Sequence, residues 1–515
     1  LLLVPTSPRP SPTAARPRLS LCMIVRNNET TIRPCLQSIR PWVDEMIVVD
    51  TGSTDATPQI CAELGAKVFH WPWRDDFAAA RNESLSHASG EWVFWMDSDD
   101  TIPSECGQRL RTLADGTHEP LTFGFVMQVH CPDAGGDPHD MTIVDHVKMF
   151  RNLPNLRFEH RIHEQILPAI RRLGGDVTFT DIYVIHSGAD RTVEGRQRKL
   201  ERDFRLLELD LAERPDHPFV LFNLGMTHAD VKQYAEAIKR LSRCLEVSNP
   251  QESHVRKTYA LLISCLMQSG QLERAASECQ RAMTLFPDDK EILFRTAMSS
   301  HERGELRRAV ELYRRVLAPS GDRHFVSVDA GLTGFKARHN LALVFEELGQ
   351  TDSAANEWRA IIEEHSGYVP AYVGLIECLL RSGHEQEAVK YIETLRRIPG
   401  GTADGFRMSA RLMESKSGIT AAIAELRAGL EICPQDSGLL REMARMLHST
   451  QDYLAALEVL NRLIAVLPED VSAWHNRGVI LGLLHRLEDS QAAFQRVESL
   501  KASLSRGSLP TPSHP

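Results

Sequence analysis

The sequence predicts an α/β domain in roughly its first 190 residues and an all-α superhelix of repeats after it. Three observations lead there. From Leu19 to about residue 100, short apolar runs alternate with helical patterns. One of those runs, Trp92-Val93-Phe94-Trp95-Met96, ends abruptly in the carboxylates Asp97, Asp99 and Asp100. From about Pro218 the pattern is helical only, with small residues at Ala237, Ala275, Ala309, Ala354, Ala388, Ala422, Ala456 and Ser490. Their spacings are 38, 34, 45, 34, 34, 34 and 34, an internal period.

The 515 residues suffice for more than one domain. A net charge of −10 gives no basic footprint for nucleic acid. Ten scattered cysteines with no Cys-x-x-Cys pair suggest neither a disulfide framework nor a thiolate zinc site, and they fit a reducing cytosol. No apolar run has the length of a membrane span, so a cytoplasmic protein is expected. Residues 1–18, with five prolines, read as disordered, and the first leucines are cut short by Pro5 before they make a signal-peptide core. Residues 503–515 read as a disordered tail.

In the α/β part, the expected strands are residues 19–25, 45–50, 66–71 and 92–96, with helices over 29–40, after Thr54 or Asp55 as a cap, and over 77–88. This order argues for a parallel sheet with ligands at the carboxyl ends of its strands, where Asp50 and the turn at 97–100 both fall. Asp97 and Asp99 lie two apart and point to one side of an extended chain, where a cation or a proton must separate them. A calcium loop fails, since Ile102 stands where it needs Gly and Gln108 where it needs Glu. Dinucleotide and phosphate loops are missing. Further strands are expected at 121–129, 147–150 and 181–186. Between them Arg157-Phe158-Glu159-His160-Arg161-Ile162-His163-Glu164-Gln165 packs ionisable groups beside apolar ones; Leu167 at the second histidine position rules out a zinc protease.

Residues 19 to about 190 resemble a family 2 glycosyltransferase with the GT-A fold. The residues that carry the likeness are the run Cys22 to Glu29 (Cys-Met-Ile-Val-Arg-Asn-Asn-Glu), Val48-Val49-Asp50-Thr51-Gly52-Ser53-Thr54-Asp55, Ala80-Arg81-Asn82 and Trp95-Met96-Asp97-Ser98-Asp99-Asp100. The resemblance implies a nucleotide-sugar donor, UDP-linked by family habit. Met23, Val25 and Asn27, through backbone, with Asp50 and Arg81, would hold the nucleoside, and Asp97 would lie near the ribose. Asp99 would bind a divalent cation, Mn²⁺ or Mg²⁺, with His186 as a further ligand. Such a cation answers an independent need, because the departing nucleoside diphosphate gathers negative charge. Glu164 matches the catalytic carboxylate of an Arg-Phe-x-x-Arg-x-His-Glu segment, which makes it the general base of an inverting transfer. His163 would contact a phosphate or the acceptor. Many relatives carry Gly where this chain has His160. Residues 191–217 read as a linker helix, in which Lys199, Arg202 and Arg205 either touch a diphosphate or are solvated.

Residues 218–502 resemble an array of about eight tetratricopeptide repeats, whose period is 34. Leu224-Gly225, Tyr313, Trp358, Trp474, Gly478 and Phe494 occupy further consensus places, and Pro287, Pro434 and Pro468 stand at the turns. The step of 45 marks an insertion, expected as a loop at 320–333. Such arrays bind extended peptide or protein on a concave face, which suggests a protein or peptide acceptor or partner. Two alternatives stay open: a cell-envelope glycan or lipid acceptor, and a repeat scaffold with an inactive nucleotide-binding domain.

Overall fold

A computed structural model describes residues 18–132, 141–188, 192–319 and 327–506. These fall into two compact units, residues 1–333 and 334–515.

The first unit opens with the expected strand–helix rhythm. Strands β1 (Leu19–Val25), β2 (Glu45–Asp50), β3 (Lys67–His70) and β4 (Trp92–Trp95) are connected through helices α1 (Ile32–Ile39), α2 (Thr57–Glu63) and α3 (Phe77–Ser86). They pair in parallel in the order β3-β2-β1-β4. Every residue of β2 and β4 is buried, as a strand covered on both faces must be. Alternate residues go to opposite layers: Leu19, Leu21 and Met23 pack with Ile32, Leu36 and Ile39 of α1, and Cys22 with Ala78 and Leu85 of α3. Helix α2 starts later than Thr54 or Asp55, and the Asp55 carboxylate accepts the Thr57 N–H (3.0 Å).

Beyond β4 the sheet is mixed and not parallel. The chain runs through β5 (Asp100–Thr101), α4 (Ser104–Asp115), β6 (Thr122–Pro132), β7 (Met141–Arg151), α5 (Leu167–Arg172) and β8 (Asp176–His186). Strand β7 is antiparallel to both β4 and β6, β6 is parallel to β8, and β8 is antiparallel to β5. Helix α6 (Val193–Glu213) follows. It is no solvated linker. Leu206 and Leu207 are buried in one cluster with Ile162 before it and Val220 and Leu224 after it, with Trp73 and Phe77 packed alongside. The cationic residues of α6 hold to the same surface: Arg205 pairs with Asp75 (2.5 Å) and Arg202 lies 5.1 Å from the Phe77 ring centroid.

Helix pairs then succeed one another. The first unit holds α7 and α8 (Pro218–Asp230, Tyr234–Val247), α9 and α10 (His254–Gln268, Leu272–Leu285), and α11 and α12 (Lys290–Glu302, Leu306–Leu317). The second holds α13 and α14 (Phe335–Glu347, Thr351–Glu364), α15 and α16 (Val369–Arg381, Glu385–Leu395), α17 and α18 (Thr402–Ser417, Ile419–Ile432), α19 and α20 (Ser437–Ser449, Tyr453–Val466), and α21 and α22 (Val471–Leu483, Leu487–Arg506). The seven periodic alanines have no exposed surface and Ser490 is buried, as close helix crossings require. Helix α22 continues through residues 503–506, where the sequence suggests tail; residues 507–515 and 1–17 lie outside the described residues.

The insertion between α12 and α13 is more than a loop. Residues 320–326 lie outside the described residues, but Ser327–Asp329 form strand β9, followed by a 3₁₀ turn, Ala330–Thr333. Strand β9 is antiparallel to β7, with Thr142 opposite Asp329 and Val144 opposite Ser327. Strand β4 pairs with β7 only from Met149 to Arg151, which leaves the start of that edge for β9. An open edge has unpaired amides and carbonyls, and the returning chain satisfies them.

Gly374 lets its own helix, α15, lie against Trp358 of α14, which is 2% exposed and whose Nε1 donates to Glu346 (2.9 Å). A Cβ there would stand 2.6 Å from Trp358 Nε1 and 2.8 Å from Cζ2. Gly374→Ala gains about 1 kcal/mol of helix propensity, but the overlap costs about 1–3 kcal/mol, or more where the ring cannot shift. A net loss of stability is expected, read as a lower urea midpoint by circular dichroism.

Candidate active site

The carboxyl ends of β2, β1 and β4 lie side by side, about 5 Å apart from strand to strand. Each carries part of the candidate site. Val25 ends β1 opposite Asp50, with its carbonyl bound by Thr51 N (2.9 Å). The β1–β4 ladder ends at Cys22 and Trp95, one residue before Met23. Asn27, at φ 54°, ties the two neighbouring turns together: Thr54 N donates to its Oδ1 (2.8 Å), and its own N–H donates to Ser53 Oγ (3.0 Å). Asp50 is 4% exposed, accepts the Ser53 N–H (3.1 Å) and faces His70 Nδ1 (3.2 Å).

After β4 the acidic turn folds on itself. Asp100 N donates to Asp97 O (3.0 Å), and Asp97 N donates to Asp100 Oδ2 (3.2 Å). Asp100 is buried, and its charge is met by Lys148 of β7, 3.0 Å away and 1% exposed. Pairing of β5 with β8 sets Asp100 opposite His186, whose Nδ1 lies 2.9 Å from Asp100 Oδ1 and 3.6 Å from Asp99 Oδ1. That hydrogen bond raises the basicity of His186, against its burial. Burial likewise pushes Asp99 up, and Asp97 and Asp100 add to it while His186 opposes. Burial pushes Asp97 up too, yet the charges of Arg81 and Lys148 outweigh it and hold the carboxyl below the usual carboxylate range. Ligand atoms of Asp97, Asp100 and His186 lie within 4.8 Å of one another, a group able to hold a metal ion.

Arg81 of α3 reaches this turn from the other layer. Its side chain is buried, its Nη2 donates to Asp97 Oδ1 (2.6 Å), and its Nε donates to Glu164 Oε1. Nη1 is buried and makes no hydrogen bond among the described residues. The guanidinium lies 4.2 Å from the Trp95 ring centroid, and Lys148 Nζ lies 3.8 Å from the same centroid. Burial disfavours the charge of Arg81, but Glu164 and Asp97 overcome that and keep it protonated. The neighbouring Asn82 brings Glu164 within reach by clamping its loop: Nδ2 donates to Phe158 O (2.9 Å) and Oδ1 accepts from Phe158 N (2.8 Å).

The structure therefore brings together Arg81, Asp97, Asp99, His186 and Glu164. Asp50 ends β2, Met23 and Val25 lie at the end of β1, and Asn27 follows it. His163 is half-buried in the same loop at φ 55°; Glu164 and Asp203, Lys199 and Arg202 of α6 are the charges that act on it. Lys148 was missed. Its signal was a lone lysine among apolar residues, Val147-Lys148-Met149-Phe150, which cannot be buried without an anion.

His146, two residues before Lys148, sits edge-on to Trp95, with ring centroids 5.8 Å apart. Burial, then Lys148, pushes its imidazole down to about 4 from an ordinary 6.5. Burial also pushes His163 down. Between about pH 4 and 6.5 His146 thus binds a proton more readily in the unfolded chain than in the folded one, and its contribution to stability rises with pH. The urea midpoint should fall from pH 7 to pH 5, and by less in His146→Asn, which has one such group fewer.

Comparison with known proteins agrees with this construction. The model of the family described as glycosyl transferase family 2 matches residues 20–174, and that of the tetratricopeptide repeat matches residues 261–323 and 339–402. A TPR repeat-containing protein of Synechococcus elongatus is 32% identical over 317 residues, 59% of this chain and 76% of that protein. The SPbeta prophage-derived glycosyltransferase SunS of Bacillus subtilis is 25% identical over 49% of this chain and 59% of its own length. The putative glycosyltransferase EpsH of the same organism is 42% identical over 110 residues, 20% of this chain and 32% of its own. This chain thus spans less than two thirds of those two enzymes. With the sheet, the acidic turn and the helix pairs described above, the chain carries a family 2 glycosyltransferase domain joined to tetratricopeptide repeats, and it belongs with the repeat-containing protein of Synechococcus elongatus.

Proposed function

We propose that this glycosyltransferase is metal-dependent and moves a sugar from a UDP-linked donor to a protein or peptide acceptor brought by the repeats, in one inverting displacement. The observation that carries this reading is the fork of Arg81, which joins the acidic turn to Glu164. A site for a charged donor and a base for an acceptor hydroxyl must lie together, and one side chain touches both.

Asp99 and His186 are the proposed metal ligands. Asp100, already engaged by Lys148 and by His186 Nδ1, instead orients the imidazole. Carboxylate and imidazole suit Mn²⁺, and a carboxylate suits Mg²⁺. A divalent cation there would offset the charge that grows on the diphosphate. Asp97 takes the ribose side. Asp50 and the backbone of Met23, Val25 and Asn27 take the nucleoside. Arg81 Nη1, buried and unbonded, is a ready donor to the nucleotide. Glu164, held in place by the Arg81 guanidinium, accepts the acceptor proton as the hydroxyl oxygen attacks. His163, kept neutral by burial, is left to orient a phosphate or the acceptor. The repeats supply the usual platform for an extended peptide.

Calorimetry with UDP tests the donor site. Binding should require Mn²⁺ or Mg²⁺ and be lost in Asp99→Ala without a change in circular dichroism. Glu164→Gln should keep metal-dependent UDP binding and lose about 10²–10⁴-fold in turnover of a UDP-sugar. Metal-dependent binding retained by Asp99→Ala would overturn the metal assignment.

A further inference from the structure

The loop that carries Glu164 is closed at its base by two backbone hydrogen bonds between Glu159 and Gln165, each 3.0 Å. Inside it, His160 and His163 have φ of 76° and 55°. A histidine in that region costs on the order of 1–2 kcal/mol relative to ordinary backbone, so the surroundings must hold it.

For His160 those surroundings are α6 and the first repeat pair. The residue is buried, and its Nδ1 donates to Asp210 Oδ2 across 3.3 Å. Asp210, on α6, has no exposed surface, and its other oxygen accepts from Arg214 Nε (2.9 Å). Burial pushes the Asp210 carboxyl up, but His160 and Arg214 outweigh it and hold it below its ordinary value, so its oxygens act as acceptors. The ring of His160 rests on His217, just before α7, and on Phe219 within it, with centroids 4.8 and 4.9 Å away. Phe219 in turn meets His254 of the second repeat pair at 6.0 Å. The next residue repeats the attachment: Arg161 O accepts from Phe77 N (2.8 Å), and its side chain pairs with Glu213 of α6. On its other side the loop meets Arg81 through Glu164.

We propose that His160 is a positioning residue for the transfer: bound to Asp210 and seated on the start of α7, it sets the place of Glu164. The first repeat pair is then a structural part of the catalytic centre as well as a platform. This rests on the reading of Glu164 as the base. Only three residues lie between the two side chains, inside a loop that the Glu159–Gln165 bridge closes, so a shift at one end of the loop is carried to the other. A displacement of about 1 Å in a reacting group costs up to about 100-fold.

The test uses three variants in the full chain. His160→Gly relieves the backbone and removes the hydrogen bond. His160→Asn keeps both, since asparagine accepts left-handed backbone and its amide nitrogen stands where Nδ1 stood. Glu164→Gln controls for the base. Amide hydrogen exchange over residues 157–165, calorimetric binding of UDP with Mn²⁺, and UDP release from a panel of UDP-sugars are measured for each. His160→Gly should exchange faster over 157–165 and lose about 10–100-fold in kcat, with UDP affinity and donor KM unchanged. His160→Asn should return both the protection and kcat to within a few-fold. Wild-type protection and turnover in His160→Gly, with turnover lost in Glu164→Gln, overturn the positioning role alone. An Asn variant as impaired as the Gly variant overturns it too, because the lost bond would not be the cause. Full turnover in Glu164→Gln overturns the base reading and this proposal with it.

Discussion

A guanidinium taken out of water must be given anions, and Arg81 is given two, from segments far apart in the chain. Its Nη2 holds Asp97 and its Nε holds Glu164. Removing either carboxylate leaves a buried cation short of a partner, and removing Arg81 leaves two carboxylates facing each other. Around this fork the account of charge is uneven. Asp97, Asp99, Asp100 and Glu164 carry four negative charges, against the permanent cations of Arg81 and Lys148 and a histidine drawn toward its charged form. At Asp99 burial raises the basicity, and Asp97 and Asp100 add to it while His186 opposes.

Much of the site was legible because its chemistry is local in sequence. The Asp97–Asp100 turn follows its strand directly, and Arg81 and Asn82 stand together because one holds the carboxylates and the other clamps the loop that delivers Glu164. What was not legible depends on pairing between distant segments. That Lys148 neutralises Asp100 follows from β7 lying beside β4; a lone lysine in an apolar run calls for an anion but does not say which one. That His186 meets Asp100 needs the two-residue strand β5, too short to show a pattern. Helix α6 looked solvated because its basic residues recur with helical spacing. In the fold those residues lie along its margin while Leu206, Leu207 and Asp210 go inward.

The repeats were legible for a different reason. One alanine per repeat has no room to be anything larger, so the sequence keeps the period even where the rest drifts. The irregular step of 45 was equally visible, but its meaning was not. A strand of three residues that completes a sheet begun far earlier has no signature of its own; only the open edge of β7 gives it a place.

That edge has a consequence for the order of events at synthesis. Thr142 waits for Asp329, so the catalytic sheet stays incomplete until three helix pairs have left the ribosome. Until then the start of β7 is a bare edge, a template for any stray strand. A chain cut at the apparent domain border near residue 217 makes that exposure permanent. The border drawn by secondary structure is thus a poor place to divide the molecule, because the enzyme half finishes folding with a piece of the repeat half.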